Sequence, residues 1–196
     1  MSSFSRAFFT AVLGTGFGLW LTSMAVDGRF DIGLWRAGPW TFQPRIGAPD
    51  ADPYARATAA RFGQVPLGVA EGLTLTARRD SSGRPLTPSC GYEISGSMPV
   101  ARFWTLTVMS PTGTPRGDAG VRTGFTSSEI LRMADGSFRI ELATNARAGN
   151  WLPLQEGKPF LLMLRLYDTA AGSTLSALDA AAFPRISRLT CAGASP

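Results

Sequence analysis

The run from Ala7 to Val26 contains no charged side chain, and this feature constrains the chain more than any other. A helix of about 20 residues is about 30 Å long, which matches the hydrocarbon core of a bilayer. The sequence therefore predicts a transmembrane anchor at 7–26. Residues 1–6 would form a cytoplasmic leader, and everything after the anchor would form a separate folded body.

The same segment has a second interpretation, as a signal peptide that is removed. Ser23 and Ala25 give the small-x-small pattern that signal peptidase accepts, which would place the cleavage after Ala25. The length favours the anchor, because signal cores have about 7 to 15 apolar residues. The short leader favours an inside amino terminus. We therefore expect a single-pass inner-membrane protein whose C-terminal domain lies on the periplasmic side.

Gly14, Gly18 and Thr22 are spaced four residues apart within the apolar run. On a helix they form a ridge of small residues, which could pack two copies of the anchor into a weak homodimer. Small residues are also frequent in membrane helices that do not associate. The ridge therefore leaves both interpretations open.

The cysteine and histidine content limits the catalytic and metal-binding sites that the chain can form. The two cysteines, Cys90 and Cys191, both follow the apolar run, and histidine is absent. In an exported chain such a pair predicts a disulfide, with two buried free thiols as the alternative. Without histidine the chain cannot build a Ser-His-Asp triad, a Cys-His pair or an imidazole metal site. We expect no metal site and no cofactor.

The basic charge of the chain predicts an anionic environment. The formal net charge is +5, and every basic residue except Lys158 is arginine. These arginines are scattered, with Arg78 and Arg79 the only adjacent pair, and no RNA-binding signature accompanies them. The pattern argues against a nucleic-acid partner. It favours an exported surface that faces anionic lipid or cell-wall polymer.

Residues 27–50 are rich in Gly, Pro and Trp, which predicts an extended linker. Trp35 and Trp40 within it would be interfacial anchors or would cover the edge of a core. One short soluble helix follows at the start of the body. Asp52 is placed as its N-cap with Pro53 at its first position, and Gly63 ends it.

From there to residue 196 the apolar residues recur with period two, as in β-strands. Trp104, Leu106 and Val108 would face one way while Phe103 and Thr105 face the other. The segment 160–167 is apolar on both faces, as in a central strand. A further short helix is expected over 175–182. The sequence predicts a mainly β body at 51–196, a β-sandwich or a jelly-roll-like domain.

Three charged residues fall in phase with apolar ones in these strands: Glu71, Arg102 and Arg165. Because an unpaired buried charge is costly, we expect Glu71 to point into the core and to pair with Arg165 or Arg102. A structural brace is the first interpretation of this group. A ligand-binding group and a catalytic acid with a raised pKa are the alternatives.

Four ordered phrases resemble one bacterial family. They are ARFWTLTVMS (101–110), ADGSFRIEL (134–142), GNWLP (149–153) and LLMLRLYDT (161–169). The chain is similar in these phrases, and in the stretch 52–86, to short membrane-anchored members of the family catalogued as domain of unknown function 1214. The resemblance implies a β-rich, jelly-roll-like envelope module. It implies no reaction, cofactor or catalytic residues.

Two functions are compatible with these observations. The first is a noncatalytic accessory or binding module that uses aromatic faces and a few polar groups to hold an envelope glycan, a lipid head group or a protein partner. The candidate ligand-binding residues are Glu71, Tyr92, Arg102, Trp104, Asn150, Trp151, Arg165 and Tyr167. Core packing is the alternative for each aromatic residue. The second function is a hydrolase of envelope polysaccharide, with paired carboxylates drawn from Glu71, Asp80, Glu93 and Asp135.

Overall fold

The protein is mainly β. A computed structural model describes residues 3–27, 34–43, 46–48, 50–61, 67–68, 71–116, 121–169 and 180–191. The helices are α1 (Ser3–Val26) and α2 (Pro53–Arg61). The strands are β1 (Trp35–Ala37), β2 (Trp40–Phe42), β3 (Gly72–Ala77), β4 (Cys90–Gly96), β5 (Phe103–Met109), β6 (Gly124–Thr126), β7 (Phe138–Ala143), β8 (Trp151–Pro153), β9 (Leu161–Tyr167) and β10 (Arg185–Cys191).

The strands form two sheets. The six-stranded sheet has the order β1-β2-β3-β9-β5-β6, and all of its pairs are antiparallel. The four-stranded sheet has the order β10-β4-β7-β8, in which β8 runs parallel to β7. Strand β9 lies between β3 and β5, so the prediction of a central strand at 160–167 is confirmed.

Side chains from both sheets meet in one hydrophobic cluster. In the six-stranded sheet three cross-strand rows supply it, namely Leu73-Leu166-Trp104, Leu75-Leu164-Leu106 and Ala77-Leu162-Val108. The four-stranded sheet contributes Ile94, Ile140 and Leu142, among others. The ring centroids of Trp104 and Phe138 lie 5.5 Å apart across the two sheets. The predicted alternation of β5, with Trp104 inside and Phe103 on the other face, is confirmed.

Helix α2 begins as the sequence predicts. The Asp52 carboxylate accepts a hydrogen bond from the Ala55 backbone N–H at 2.9 Å, which satisfies one of the free donors of the first turn. Pro53 is the first helical residue, where its missing N–H does no harm. Gly63, which was expected to end the helix, lies outside the described residues.

Helix α1 contains the apolar run. None of its 24 residues is buried against the rest of the chain, and Phe8, Leu13 and Trp20 are among its exposed apolar side chains. It is long enough and apolar enough to cross a membrane.

The composition of the segment 27–50 predicts an extended linker, but residues 35–42 within it are part of the folded body. Within it, β1 and β2 form a hairpin that turns at Gly38, whose φ is +60°. Thr41 of β2 pairs with Thr76 of β3 and so joins the hairpin to the six-stranded sheet. Trp40 is completely buried in the shared core. Its apolar ring stabilises the hairpin against the core, an effect that composition alone does not reveal.

Cys90 and Cys191 form a disulfide, as predicted. They are neighbours in the register of β4 and β10, so the bond joins the last described strand to the middle of the chain. The helix expected over 175–182 falls mostly outside the described residues. Ala180–Ala182 forms a single 3₁₀ turn there.

Asp80 organises the turn between β3 and β4. Its Oδ1 accepts hydrogen bonds from the Ser82 N–H, the Ser82 hydroxyl and the Arg84 N–H at 2.7 to 3.0 Å. Its Oδ2 lies 3.3 Å from Arg84 Nε and 3.2 Å from Arg188 Nε. Because Arg188 belongs to β10, this buried carboxylate holds the turn against the edge of the four-stranded sheet.

Candidate ligand-binding face

The outer face of the six-stranded sheet, opposite the shared core, carries the most distinctive polar groups of the fold. Since side chains alternate along a strand, the residues between the core positions lie on this face. Thr74, Arg165, Thr105 and Thr126 form one row across four neighbouring strands. Gly72, Tyr167 and Phe103 form the adjacent row. We call the five residues Thr74, Phe103, Thr105, Arg165 and Tyr167 the outer-face cluster.

Arg165 stands at the centre of the outer-face cluster. It is half-buried, and its Nε is inaccessible to solvent and donates to no acceptor among the residues that the structure describes. The Thr74 hydroxyl, its neighbour in the register, is likewise buried and unpartnered within the described ranges. Buried polar atoms in native proteins usually have hydrogen-bond partners. The two adjacent exceptions mark this position as one where the fold leaves polar atoms without hydrogen bonds.

An aromatic pair flanks this arginine. The rings of Phe103 and Tyr167 are half-buried, with centroids 5.8 Å apart and planes inclined by 45°. Gly72 lies opposite Tyr167 and has a φ of +154°. Any other residue at this position would place its Cβ against the Leu166 carbonyl oxygen. The glycine leaves this end of β3 without a side chain, so it does not cover the neighbouring tyrosine ring.

Glu71 and Arg102 lie beyond the aromatic pair, and their positions contradict the prediction that Glu71 forms a buried ion pair as a structural brace. Glu71 does not point into the core; it is exposed, and its carboxylate accepts a hydrogen bond from the Gly68 N–H at 3.2 Å. Arg102 is exposed as well and lies 3.8 Å from Asp168, which has a φ of +49°. Among the residues that the structure describes, no ion pair joins Glu71 to Arg102 or to Arg165. The alternation fails because β3 begins only at Gly72 and β5 only at Phe103.

Two of the predicted aromatic platforms lie in the core. Tyr92 is fully buried, and its hydroxyl accepts a hydrogen bond from the Thr87 N–H at 2.8 Å. Trp104 is 3% exposed and packs on Phe138. Neither ring presents a face to a ligand, and both match the packing alternative for these residues.

Asn150 and Trp151 lie on the other sheet, away from the outer-face cluster. The buried Asn150 amide donates to the Leu131 and Arg139 carbonyls and accepts from the Leu131 N–H, all at 2.8 Å. The Trp151 Nε1 donates to the Ala143 carbonyl at 3.1 Å. The Asn150 side chain uses its hydrogen-bonding groups to tie loop 131–133 to β7, so it stabilises the fold.

An open groove of about 220 Å³ runs beside Asn150. Its lining residues are Leu131, Arg132, Met133, Arg139, Glu141, Ala148, Gly149 and Asn150. Two of its three charged groups are in ion pairs, since Arg139 lies 3.2 Å from Glu93 and Glu141 lies 3.8 Å from Arg147. The third, Arg132, donates to the Gly136 carbonyl at 3.1 Å. The groove therefore offers a ligand less than the unpartnered groups of the outer-face cluster do.

The register does place two carboxylates together. Glu93 of β4 and Glu141 of β7 are directly opposed on the outer face of the four-stranded sheet. Like charges in this position repel, and the arginine beside each of them offsets the repulsion. Asp80 and Asp135 are not part of this pair. Each belongs to its own turn, where Ser82 and Ser137 respectively donate to it.

The ionisation of these turn carboxylates follows from their donors. Burial raises the pKa of Asp80, but hydrogen bonds from Ser82 and Arg84 outweigh it and leave the pKa below its usual value. Hydrogen bonds from the Ser137 hydroxyl and N–H lower the pKa of Asp135. Both residues are ionised at neutral pH, so neither serves as a general acid. In the described part of the chain no three His, Cys, Asp or Glu residues come together as a metal site.

Comparison with known proteins identifies the family. The family model described as "Protein of unknown function (DUF1214)" matches residues 71–171, just over half of the 196 residues. The chain belongs to the DUF1214 family. All five residues of the outer-face cluster lie within the matched region. No curated protein matches the sequence.

Two solved structures are similar to this DUF1214 chain. The VPA0106 protein from Vibrio parahaemolyticus is 24% identical, with a TM-score of 0.55 over 74% of this chain and 37% of that one. An uncharacterised protein from Burkholderia cenocepacia is 19% identical, with a TM-score of 0.42 over 78% of this chain and 47% of that one. The chain thus spans less than half the length of either protein. The first similarity supports the fold and says nothing about activity.

Sequence reasoning missed part of the outer-face cluster of this DUF1214 protein. Thr74, Phe103 and Thr105 are not among the candidate residues that the sequence suggests, although Phe103 and Thr105 are predicted to lie on the face opposite Trp104. The available signal was the spacing Thr-Leu-Thr at 74–76 and again at 105–107, which places threonines on the face away from the core. The pairing of β3 and β5 with opposite sides of β9 brings these threonines beside Arg165.

Proposed function

We propose that this DUF1214 protein is a membrane-tethered binding module of the cell envelope. The observation that carries the proposal is α1, in which residues 6–23 are exposed along their whole length, so that their apolar side chains would need a bilayer to leave water. An inner-membrane anchor with the body on the periplasmic side agrees with the disulfide, since disulfides persist in oxidising compartments. The two sheets that share a core are consistent with a sandwich of the jelly-roll type.

The ligand of this module is an envelope glycan that carries an acidic group. A guanidinium recognises a carboxylate or phosphate through charged hydrogen bonds, and Arg165 is half-buried with no ion pair among the described residues. Beside it, the Tyr167 and Phe103 rings offer the apolar faces on which a sugar ring packs. The Thr105 hydroxyl would bind a hydroxyl group of the sugar.

The test is binding of galacturonate oligosaccharides to the full chain in detergent, with glucose oligosaccharides of equal length as the neutral probe. We expect the acidic probe alone to raise the melting temperature. At a free concentration 100 times Kd the stabilisation is about 2.7 kcal/mol. Arg165→Gln should weaken binding by about 10- to 100-fold, because a hydrogen bond to a charged group contributes about 1.5 to 3 kcal/mol.

The matched control is Arg139→Gln, which removes the same charge from the outer face of the other sheet. Equal losses in the two variants would contradict the site and leave only a general charge effect. Glycerol phosphate serves as a third probe, which carries a phosphate and no sugar ring. If none of the three probes shifts the melting temperature, the binding function itself is contradicted.

The opposed carboxylates Glu93 and Glu141 favour one other function, a hydrolase of envelope polysaccharide. Retaining glycosidases hold two carboxyl groups about 5 to 5.5 Å apart beside a cleft, and the groove at Asn150 adjoins Glu141. Against this, each carboxylate already has an arginine partner. Release of reducing sugar from a polysaccharide by the wild type, abolished in Glu141→Gln, would establish this function over the binding module.

A further inference from the structure

The last turn of α1 is the part of the helix that meets the folded body. Residues 24–27 are half-buried, whereas residues 6–23 are exposed along their whole length. The body therefore packs against the end of the apolar helix and leaves the rest of it free. If α1 spans a bilayer, the membrane surface lies at this last turn.

Helix α2 makes the contacts at that turn. The Thr58 hydroxyl donates to the Val26 carbonyl at 3.3 Å, and Arg61 Nη2 lies 2.9 Å from Asp27 Oδ1. The headgroup layer is about 5 to 8 Å thick and an α-helix with its side chains is about 10 to 12 Å across, so a helix in direct contact with the end of the anchor overlaps the headgroup layer. The contacts thus fix the depth of α2.

The sequence of α2 suits that depth. Tyr54, Thr58 and Arg61 follow the spacing i, i+4, i+7 and lie on one stripe of the helix. Since Thr58 and Arg61 contact α1, Tyr54 belongs to the stripe that faces the anchor, and it is 45% exposed. Tyrosine is enriched at membrane–water interfaces. Arg56 is exposed on the same helix, which contains no acidic residue.

We propose that α2 lies in the lipid headgroup layer, where Tyr54 is an interfacial anchor and Arg56 binds anionic phospholipid headgroups. The inference rests on the proposed membrane tether. It adds that the body is held against the bilayer by a second element and does not swing on a free linker. The outer-face cluster would then work at a fixed orientation to the membrane.

The test measures the depth of labels on the full chain in bilayer nanodiscs. Both native cysteines are in the disulfide, so an added cysteine is the only thiol that a nitroxide label modifies. Labels at Ala57→Cys on α2, Ala134→Cys on the turn before β7 and Leu13→Cys in α1 are compared for collision with a water-soluble nickel complex. We expect the label at position 57 to be several-fold less accessible than the label at 134.

Each outcome decides one claim. Accessibility of position 57 equal to that of 134, with position 13 shielded, would overturn the inference and leave the tether standing. An accessible label at position 13 would overturn the tether and the inference with it. Tyr54→Ala should raise the accessibility of position 57, and Tyr54→Trp should restore the shielding. The nanodiscs contain the anionic lipid phosphatidylglycerol. Its replacement by phosphatidylcholine should reduce the shielding of position 57 in the wild type, but not in Arg56→Gln.

Discussion

Asp80 and Arg165 are both charged residues set into the β-body, but their surroundings differ. Asp80 is buried with partners on both oxygens, from its own turn and from Arg188 of β10. Arg165 lies in the middle of a sheet face with a buried Nε that has no partner among the described residues. One charge is enclosed by donors that the chain supplies, and the other lacks an acceptor.

The difference separates a structural role from a binding role. A buried carboxylate with a full set of donors stabilises the arrangement that supplies them, and loss of one partner leaves the others uncompensated. A buried donor without an acceptor destabilises the free protein and is compensated when a ligand arrives. Substitutions at the two sites should therefore move stability in opposite directions.

The largest expected effect is at Asp80. Asp80→Ala should lower the free energy of unfolding by about 3 kcal/mol, because it leaves Arg84 and Arg188 without their carboxylate and removes the acceptor for the turn. Urea unfolding of the full chain in detergent measures this. A loss below about 1 kcal/mol would show that the turn does not depend on Asp80, and the contrast with Arg165 would disappear.

The dependence on pH tests the same carboxylate. Its pKa is lowered in the folded state, so its contribution is complete above the ordinary aspartate pKa of about 3.9 and is lost as the pH falls through the folded value. We expect the stability difference between wild type and Asp80→Asn to be largest at neutral pH and to shrink below about pH 4. Taking this difference removes the effects of Glu129 and Asp135, whose pKa values are also lowered, by hydrogen bonds from Thr126 and Ser137. A difference constant down to pH 2 would contradict the assignment.

Trp104, Phe103 and Glu71 show how much of the fold can be predicted from the sequence alone. Periodicity placed Trp104 in the core and Phe103 on the other face, because alternation is a local property of a strand. It failed at Glu71, where Gly72 adopts a backbone conformation closed to other residues and the strand begins one residue late. The alternation of side chains between the two faces of a sheet can be used to place a residue only if that residue belongs to the strand.

The remaining features depend on contacts between distant parts of the chain. Asp80 meets Arg188 because the β3–β4 turn folds over the edge of β10, where the Ser81 N–H also donates to the Ile186 carbonyl at 2.8 Å. Glu93 faces Glu141 because β4 pairs with β7 in one register. Neither strand order nor register is encoded in the spacing of a single strand, so the sequence could name these residues but could not pair them.

A smaller effect tests the unpartnered groups of the outer-face cluster. Thr74→Val removes the buried hydroxyl without changing the side-chain shape, so it should stabilise the protein by about 1 kcal/mol. The control is Thr76→Val on the same strand and face. The Thr76 hydroxyl lies 3.2 Å from the Thr41 hydroxyl, so its loss should cost about 0.5 to 1 kcal/mol. Equal effects in the two variants would mean that Thr74 is satisfied in solution.

The smallest effect is expected on the outer face of the four-stranded sheet, where the charges are exposed and paired. Arg139 lies 3.2 Å from Glu93, with side chains 54% and 21% exposed. Exposed pairs of this kind contribute about 0.2 to 1 kcal/mol, so Arg139→Gln should lower stability by about 0.5 kcal/mol in low salt and by less in high salt. Chemical unfolding at two salt concentrations measures it. A loss of several kcal/mol that salt does not reduce would mean that the opposed Glu93 and Glu141 depend on Arg139 for their charge balance, and this face would then need a functional explanation as much as the one around Arg165 does.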